Sequence, residues 1–150
     1  MKLVEIYCDG SVLNNGQLYN NVGGWSAIIK WSEIKKVVSG AERNTTNNRM
    51  EMMPLVIWLP KLMKAGFTDF KITTDSMYVI YGIRGRKRWL RKTKNWPNQD
   101  LCRPLFAEIE NYKPQIKLKW VKGHKGHPEN EEVNALAASM SAGVELIGFK

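Results

Sequence analysis

Residues that favour β-strands, several in loose alternation of apolar and polar positions, are concentrated in five short stretches of the chain. The stretches cover residues 3–8, 23–31, 35–40, 70–75 and 116–121. A Gly/Asn-rich turn from Gly10 to Asn21 follows the first stretch, and Ser32–Glu33 separates the second from the third. These stretches are the predicted strands.

Apolar residues at helical spacing predict four helices, over residues 49–66, 76–83, 100–112 and 128–143. Thr45 and Thr46 are candidate caps for the first helix and Gly66 its stop, while Pro54 and Pro60 should bend or interrupt it. The second should close at Gly82 and the last should begin at Pro128. The order of elements predicts an α/β fold with a mixed sheet.

The length and the composition fit one domain over residues 1–150, because 150 residues with 43% hydrophobic content can bury a sizeable core. No apolar run approaches the roughly 18 residues of a membrane span, so a soluble cytoplasmic protein without membrane contact is expected. Cys8 and Cys102 show no metal or disulfide spacing and are expected to be free thiols.

The formal net charge of +9 makes a polyanion the natural partner. Arg84 to Lys94 contains seven basic residues and no acid, with Trp89 inside it and Trp96 just beyond. A solvated surface segment is one interpretation. The interleaved indoles favour the other, a basic protrusion over about 84–97 that binds nucleic acid.

Three acids are candidates for a metal site. Asp9 and Asp75 each follow a predicted strand, and Glu51 lies one turn into a predicted helix. Each acid alone could be an ordinary turn or surface residue, whereas three that converge would repel one another unless cations neutralise them. Carboxylate oxygens suit Mg²⁺ or Mn²⁺, and a pair of such ions can promote phosphodiester hydrolysis.

Four motifs closely resemble type 1 ribonuclease H, particularly the bacterial form with a basic protrusion. They are DGS at 9–11, TTNNRMEM at 45–52, TTDSMYVIYGI at 73–83 and WVKGHKGHPENEEVNALA at 120–137. The resemblance implies a five-stranded mixed sheet, three antiparallel strands then two parallel, flanked by helices. It also implies a monomer that hydrolyses the RNA strand of RNA/DNA hybrids with two Mg²⁺ ions, which Mn²⁺ could replace, leaving 5′-phosphate and 3′-hydroxyl ends.

Site residues follow from the same resemblance. Three positions look like metal-binding carboxylates: Asp9, Glu51 and Asp75. His124 matches a mobile histidine that assists proton transfer or product departure. His127 is expected to be structural. Positions resembling contacts to the minor groove and the RNA strand are Gly10, Ser11, Asn15, Asn47 and Asn48. Those resembling a DNA phosphate pocket are Thr46, Asn98 and either Arg43 or Asn44, and the protrusion contributes Arg86, Lys87, Arg88 and Trp89.

The sequence departs from the family pattern at Asn134, where the family has a fourth metal-binding Asp. An amide oxygen can coordinate a cation but contributes no charge. The residue could be an introduced Asp-to-Asn change that impairs cleavage, a natural variant, or a position whose role passes to Glu131. Met77 also stands where relatives often have a polar residue that touches the groove.

Three functions therefore remain open. The first is a ribonuclease H whose cleavage Asn134 impairs, and the second is a module that binds hybrids without cutting them. The third, a DNA nuclease of the same broad fold such as a resolvase or transposase, would lack NNRME and GHKGHPENE.

Overall fold

The computed structural model describes residues 3–13, 21–122 and 128–146. Within them lie five strands: β1 (Leu3–Leu13), β2 (Val22–Trp31), β3 (Ile34–Arg43), β4 (Asp69–Thr74) and β5 (Gln115–Trp120). The same ranges contain five helices: α1 (Asn47–Lys64), α2 (Met77–Arg84), α3 (Arg86–Leu90), α4 (Gln99–Tyr112) and α5 (Pro128–Leu146).

The strands form one sheet in the order β3-β2-β1-β4-β5. β1, β2 and β3 pair antiparallel, whereas β4 pairs parallel with both β1 and β5. The predicted fold class, three antiparallel strands followed by two parallel ones in a mixed sheet with flanking helices, is confirmed.

Helices cover both faces of the sheet. α1 packs against β1 and β2, and α4 packs against α1. Ala27 and Ile29 of β2 belong to the main core cluster together with residues of α1 and α4. Because side chains alternate along a strand, Ser26 faces the other side, where its hydroxyl donates a hydrogen bond to the carbonyl oxygen of Val133 in α5.

β1 extends further than the sequence predicted. The prediction that Asp9 ends the first strand is wrong, because β1 continues to Leu13 through a ladder with β2 that runs to the pair Leu13–Val22. Only the parallel ladder with β4 stops early, at the pair Tyr7–Thr73. At Asp9, β1 therefore pairs with β2 but no longer with β4.

Two helix predictions are also corrected. Of the two effects predicted for Pro54 and Pro60, a bend or an interruption, the interruption is wrong, because α1 is continuous from Asn47 to Lys64. A proline inside a helix costs about 3 kcal/mol, but seven other residues of α1 are buried and hold it in the core: Met50, Met52, Met53, Leu55, Leu59, Leu62 and Met63.

The second correction concerns α2, which does not close at Gly82. It runs to Arg84, and Gly85 is its C-cap. Part of the basic segment, expected only as a protrusion, then forms the short helix α3.

Both cysteines are free, as predicted, and the structure shows that both are buried. None of the helices in the described ranges is long and apolar enough to cross a bilayer.

Gly10 permits the close approach of α1 to β1. A Cβ atom at this position would lie 2.4 Å from the carbonyl carbon of Met50 and 2.6 Å from the backbone nitrogen of Glu51. Only a residue without a side chain allows this contact between two backbones. It brings the first turn of α1, and with it Glu51, beside Asp9.

We expect Gly10→Ala to lower the free energy of unfolding by about 1–3 kcal/mol, the usual cost of overpacking, because α1 has to move away from β1. Gly82→Ala is the matched control. Its Cβ would be 3.2 Å from the flexible end of Met52, and alanine favours a helix by about 1 kcal/mol. Urea denaturation measures both, and equal stabilities of the two variants would contradict the prediction.

Candidate active site

Three carboxylates converge at the edge of the sheet where β1 and β4 separate. Asp9 comes from β1, Asp75 directly follows β4, and Glu51 reaches the same point from the first turns of α1. One oxygen of each side chain lies within 4.8 Å of the others. The structure therefore brings together the three acids that the sequence predicted as metal ligands.

Burial makes this cluster electrostatically costly. Asp9 is only 1% exposed, and no donor in the described ranges hydrogen-bonds to the buried Oε2 of Glu51. Burial, together with the charges of Asp9 and Asp75, raises the pKa of Glu51 well above its ordinary value. A bound cation would relieve this cost, and a donor set made only of oxygens fits Mg²⁺ or Mn²⁺.

The acids line a cleft of about 410 Å³. Four residues predicted to contact the minor groove or the RNA strand also line it: Gly10, Ser11, Asn47 and Asn48. The cleft therefore combines the candidate metal ligands with backbone and amide groups that can hydrogen-bond to a sugar-phosphate strand. Met77, which the sequence marked as a departure at a groove position, lines the cleft as well. Sequence reasoning did not identify three further lining residues as part of the site: Val12, Ser76 and Tyr78.

Asn134 lies in the same cleft as the acids. α5 is held there by the hydrogen bond from Ser26 to Val133, and Ser26 is the cross-strand partner of Asp9. Glu131 is exposed and does not line the cleft. The side chain beside the three acids is thus a neutral amide, and a substitute role for Glu131 gains no support.

Two residues predicted for the DNA phosphate pocket are held by Arg49. Thr46 caps α1 by accepting a hydrogen bond from the Arg49 backbone at 3.2 Å. Asn98 accepts from the Arg49 guanidinium at 3.4 Å and donates to the Tyr78 hydroxyl at 3.0 Å. The same guanidinium contacts Asp100 at 3.0 Å.

Sequence reasoning missed this role of Arg49. Its position inside NNRME, between predicted groove residues and a candidate metal ligand, was the signal that could have indicated it.

Two cations of the basic protrusion contact an acid of α4. Arg86 and Lys87 lie 3.5 Å and 3.9 Å from Glu110, respectively, and Arg86 also donates to a backbone carbonyl. Trp89 packs on Trp96, with ring centroids 5.1 Å apart. Arg88 is exposed, so it is better placed than Arg86 to meet a polyanion.

Three predicted residues lie outside the described ranges. Asn15 belongs to 14–20, and His124 and His127 belong to 123–127.

Known proteins match this chain over most of its length. The RNase H family model matches residues 1–142. A ribonuclease H from Aeromonas salmonicida is 39% identical, covering 97% of this chain and 94% of its own. One from Campylobacter jejuni is 40% identical, with coverages of 91% and 90%.

Solved structures agree with the sequence matches. A crystal structure described as a type 1 RNase H with the type 2 active-site motif gives a TM-score of 0.79 at 28% identity, covering 94% of this chain and 72% of that one. A foamy viral protease-reverse transcriptase in complex with dsDNA shares the fold, with a TM-score of 0.76 at 17% identity. The resemblance seen in the motifs is confirmed, and the chain belongs to the ribonuclease H family.

Proposed function

We propose that this chain binds RNA/DNA hybrids in the acidic cleft and hydrolyses the RNA strand, leaving 5′-phosphate and 3′-hydroxyl ends, at a rate that Asn134 reduces. The observation that carries the proposal is the convergence of Asp9, Glu51 and Asp75 within 4.8 Å in a cleft that is also lined by residues proposed to contact the groove. The two free, buried cysteines of the chain are consistent with a proposed location in the reducing cytoplasm.

The three carboxylates and the amide oxygen of Asn134 would hold two Mg²⁺ ions. When bound, such a pair supplies an activated water and stabilises the leaving oxygen. The protein's own part is to hold these four oxygen ligands together at the cleft in which one phosphodiester would lie. His124 is proposed to assist proton transfer or product departure.

Substrate selection depends on reading two different strands. Gly10, Ser11, Asn47 and Asn48 line the cleft, where they would meet the 2′-hydroxyls of the RNA strand in the shallow minor groove; Asn15 is proposed to join them. Thr46 and Asn98 would bind a phosphate of the DNA strand. The basic protrusion would add phosphate contacts without sequence preference.

Asn134 also supports a second candidate function, a module that binds hybrids without cutting them. A neutral ligand leaves the site one negative charge short of the family pattern, while the residues proposed to contact the groove line the cleft. Hybrid binding would then persist with little hydrolysis.

Restoring the charge separates the two functions. We expect Asn134→Asp to raise the rate of RNA cleavage in a labelled hybrid by at least about 10–100-fold. Substitution of residues next to metal ligands typically changes activity by this factor. The measurement is single-turnover cleavage in Mg²⁺ and in Mn²⁺, with duplex DNA as the competing substrate. Ser139→Asp, an equal charge change at an exposed position of α5 outside the cleft, should leave the rate unchanged.

If the parent protein and Asn134→Asp both leave the RNA intact in either metal, the nuclease proposal fails and the binding module survives. Equal cleavage of duplex DNA would instead favour the DNA nuclease.

Removal of one carboxylate should stabilise the metal-free protein. The raised pKa of Glu51 means that folding becomes less favourable once the pH exceeds the pKa of the same carboxyl in the unfolded chain. Glu51→Gln should therefore add about 1–3 kcal/mol to the free energy of unfolding at pH 7 in EDTA. The gain should shrink at pH 4, where the carboxyl is largely protonated in both states.

Urea denaturation measures this effect, and Glu108→Gln on α4 is the control without cleft contact. Added Mg²⁺ should stabilise the parent more than Glu51→Gln. Lower stability of Glu51→Gln in EDTA at pH 7 would show that the acids do not repel one another.

The protrusion should act through exposed charge. We expect Arg88→Ala to weaken hybrid binding and to reduce the slope of log K against log salt by about one. Lys64→Ala, an exposed cation in the last turn of α1, should leave the slope unchanged. Fluorescence anisotropy at several salt concentrations measures it, and identical slopes for Arg88→Ala and the parent would remove Arg88 from the interface.

A further inference from the structure

Trp120 makes a polar contact with the backbone of a candidate metal ligand. It is the last residue of β5, and its indole Nε1 donates a hydrogen bond to the main-chain carbonyl oxygen of Asp75 at 3.0 Å. The parallel ladder pairs Trp120 with Thr74, the residue just before that aspartate. The indole therefore reaches from the end of β5 to Asp75, the first residue beyond β4.

The turn that carries Asp75 is held by hydrogen bonds on both of its sides. Ser76 N donates to the Thr74 hydroxyl at 3.1 Å, and the Ser76 hydroxyl caps α2 by accepting from Val79 N at 3.2 Å. These bonds fix the residues that flank Asp75. The indole fixes the carbonyl of Asp75 itself, and with it the peptide plane that sets where the Cα–Cβ bond points.

Burial alone does not explain this placement of the indole. Ile116 and Leu118, which share a face of β5 with Trp120, pack against the core cluster. Trp120 continues that face beyond the core and remains 46% exposed. Its polar contact with Asp75, rather than its apolar area, distinguishes it from the other two.

We infer that Trp120 is a positioning residue, whose indole N–H holds Asp75 in the orientation that completes the divalent-metal site. The inference rests on the proposed function, since it concerns the same three carboxylates. It assigns a role to the tryptophan of the WVKGH motif that is separate from substrate contact. Groups that orient a ligand act on metal affinity as well as on turnover.

Trp120→Phe tests the inference, because it keeps an aromatic ring and removes only the donor. Asn134→Asp is the host protein, and Mg²⁺ binding is followed by titration calorimetry without substrate. We expect about 10-fold weaker binding in Trp120→Phe, the scale of outer-ligand changes at metal sites. Trp31→Phe is the matched control, since Trp31 packs on Phe67 and lies outside the cleft; its Mg²⁺ affinity should equal that of the host.

A second measurement follows the host protein itself and uses the Trp120→Phe variant only for assignment. The indole N–H resonance of Trp120, assigned by its loss in Trp120→Phe, should shift during Mg²⁺ titration and saturate with the calorimetric affinity. The resonance of Trp31 should stay in place. A purely structural tryptophan would change the melting temperature without either metal-dependent effect.

Unchanged Mg²⁺ affinity in folded Trp120→Phe, or a Trp120 resonance that ignores the metal, would overturn the inference and leave the proposed function standing. If the host protein binds no Mg²⁺, the proposed metal site and the inference fail together.

Discussion

Repulsion among three carboxylates held at one edge of the sheet is the constraint around which this structure is arranged. Asp9 is almost fully buried, and an oxygen of each acid lies within 4.8 Å of the other two. Such a cluster cannot stabilise the fold by itself. The surrounding elements therefore supply the rigidity: the ladders of β1, the close approach at Gly10, and a core that packs α1 onto the sheet.

Much of the architecture could be predicted because its signals are local. Strand-forming stretches and helical spacing indicated all five strands and four of the five helices described. The errors came from long-range effects. β1 continues past Asp9 because β2 pairs with it, and α1 accommodates Pro54 because the helix is buried. Neither the pairing of β1 with β2 nor the burial of α1 can be recognised from the composition of the strand or helix itself.

The site shows the same division. The convergence of Asp9, Glu51 and Asp75 was predictable, since each falls at an element end or start and matches a specific motif. The side-chain partners were not. Asn98 is bound by Arg49, 49 positions away in sequence, and Arg86 faces Glu110. A count of charges along the sequence assumes that such groups can bind a ligand, whereas in the folded protein they already contact other side chains.

The hydrogen bond from Ser26 to Val133 spans 107 positions of the chain and has a consequence for synthesis. Translation delivers the N-terminal part first, so the segments that bear the three acids emerge from the ribosome before α5. A nascent sheet would thus expose its Ser26 face, with the charge cluster beside it, until the final helix arrives. Closure of that face and the arrival of Asn134, the proposed fourth ligand, would then be a single late event.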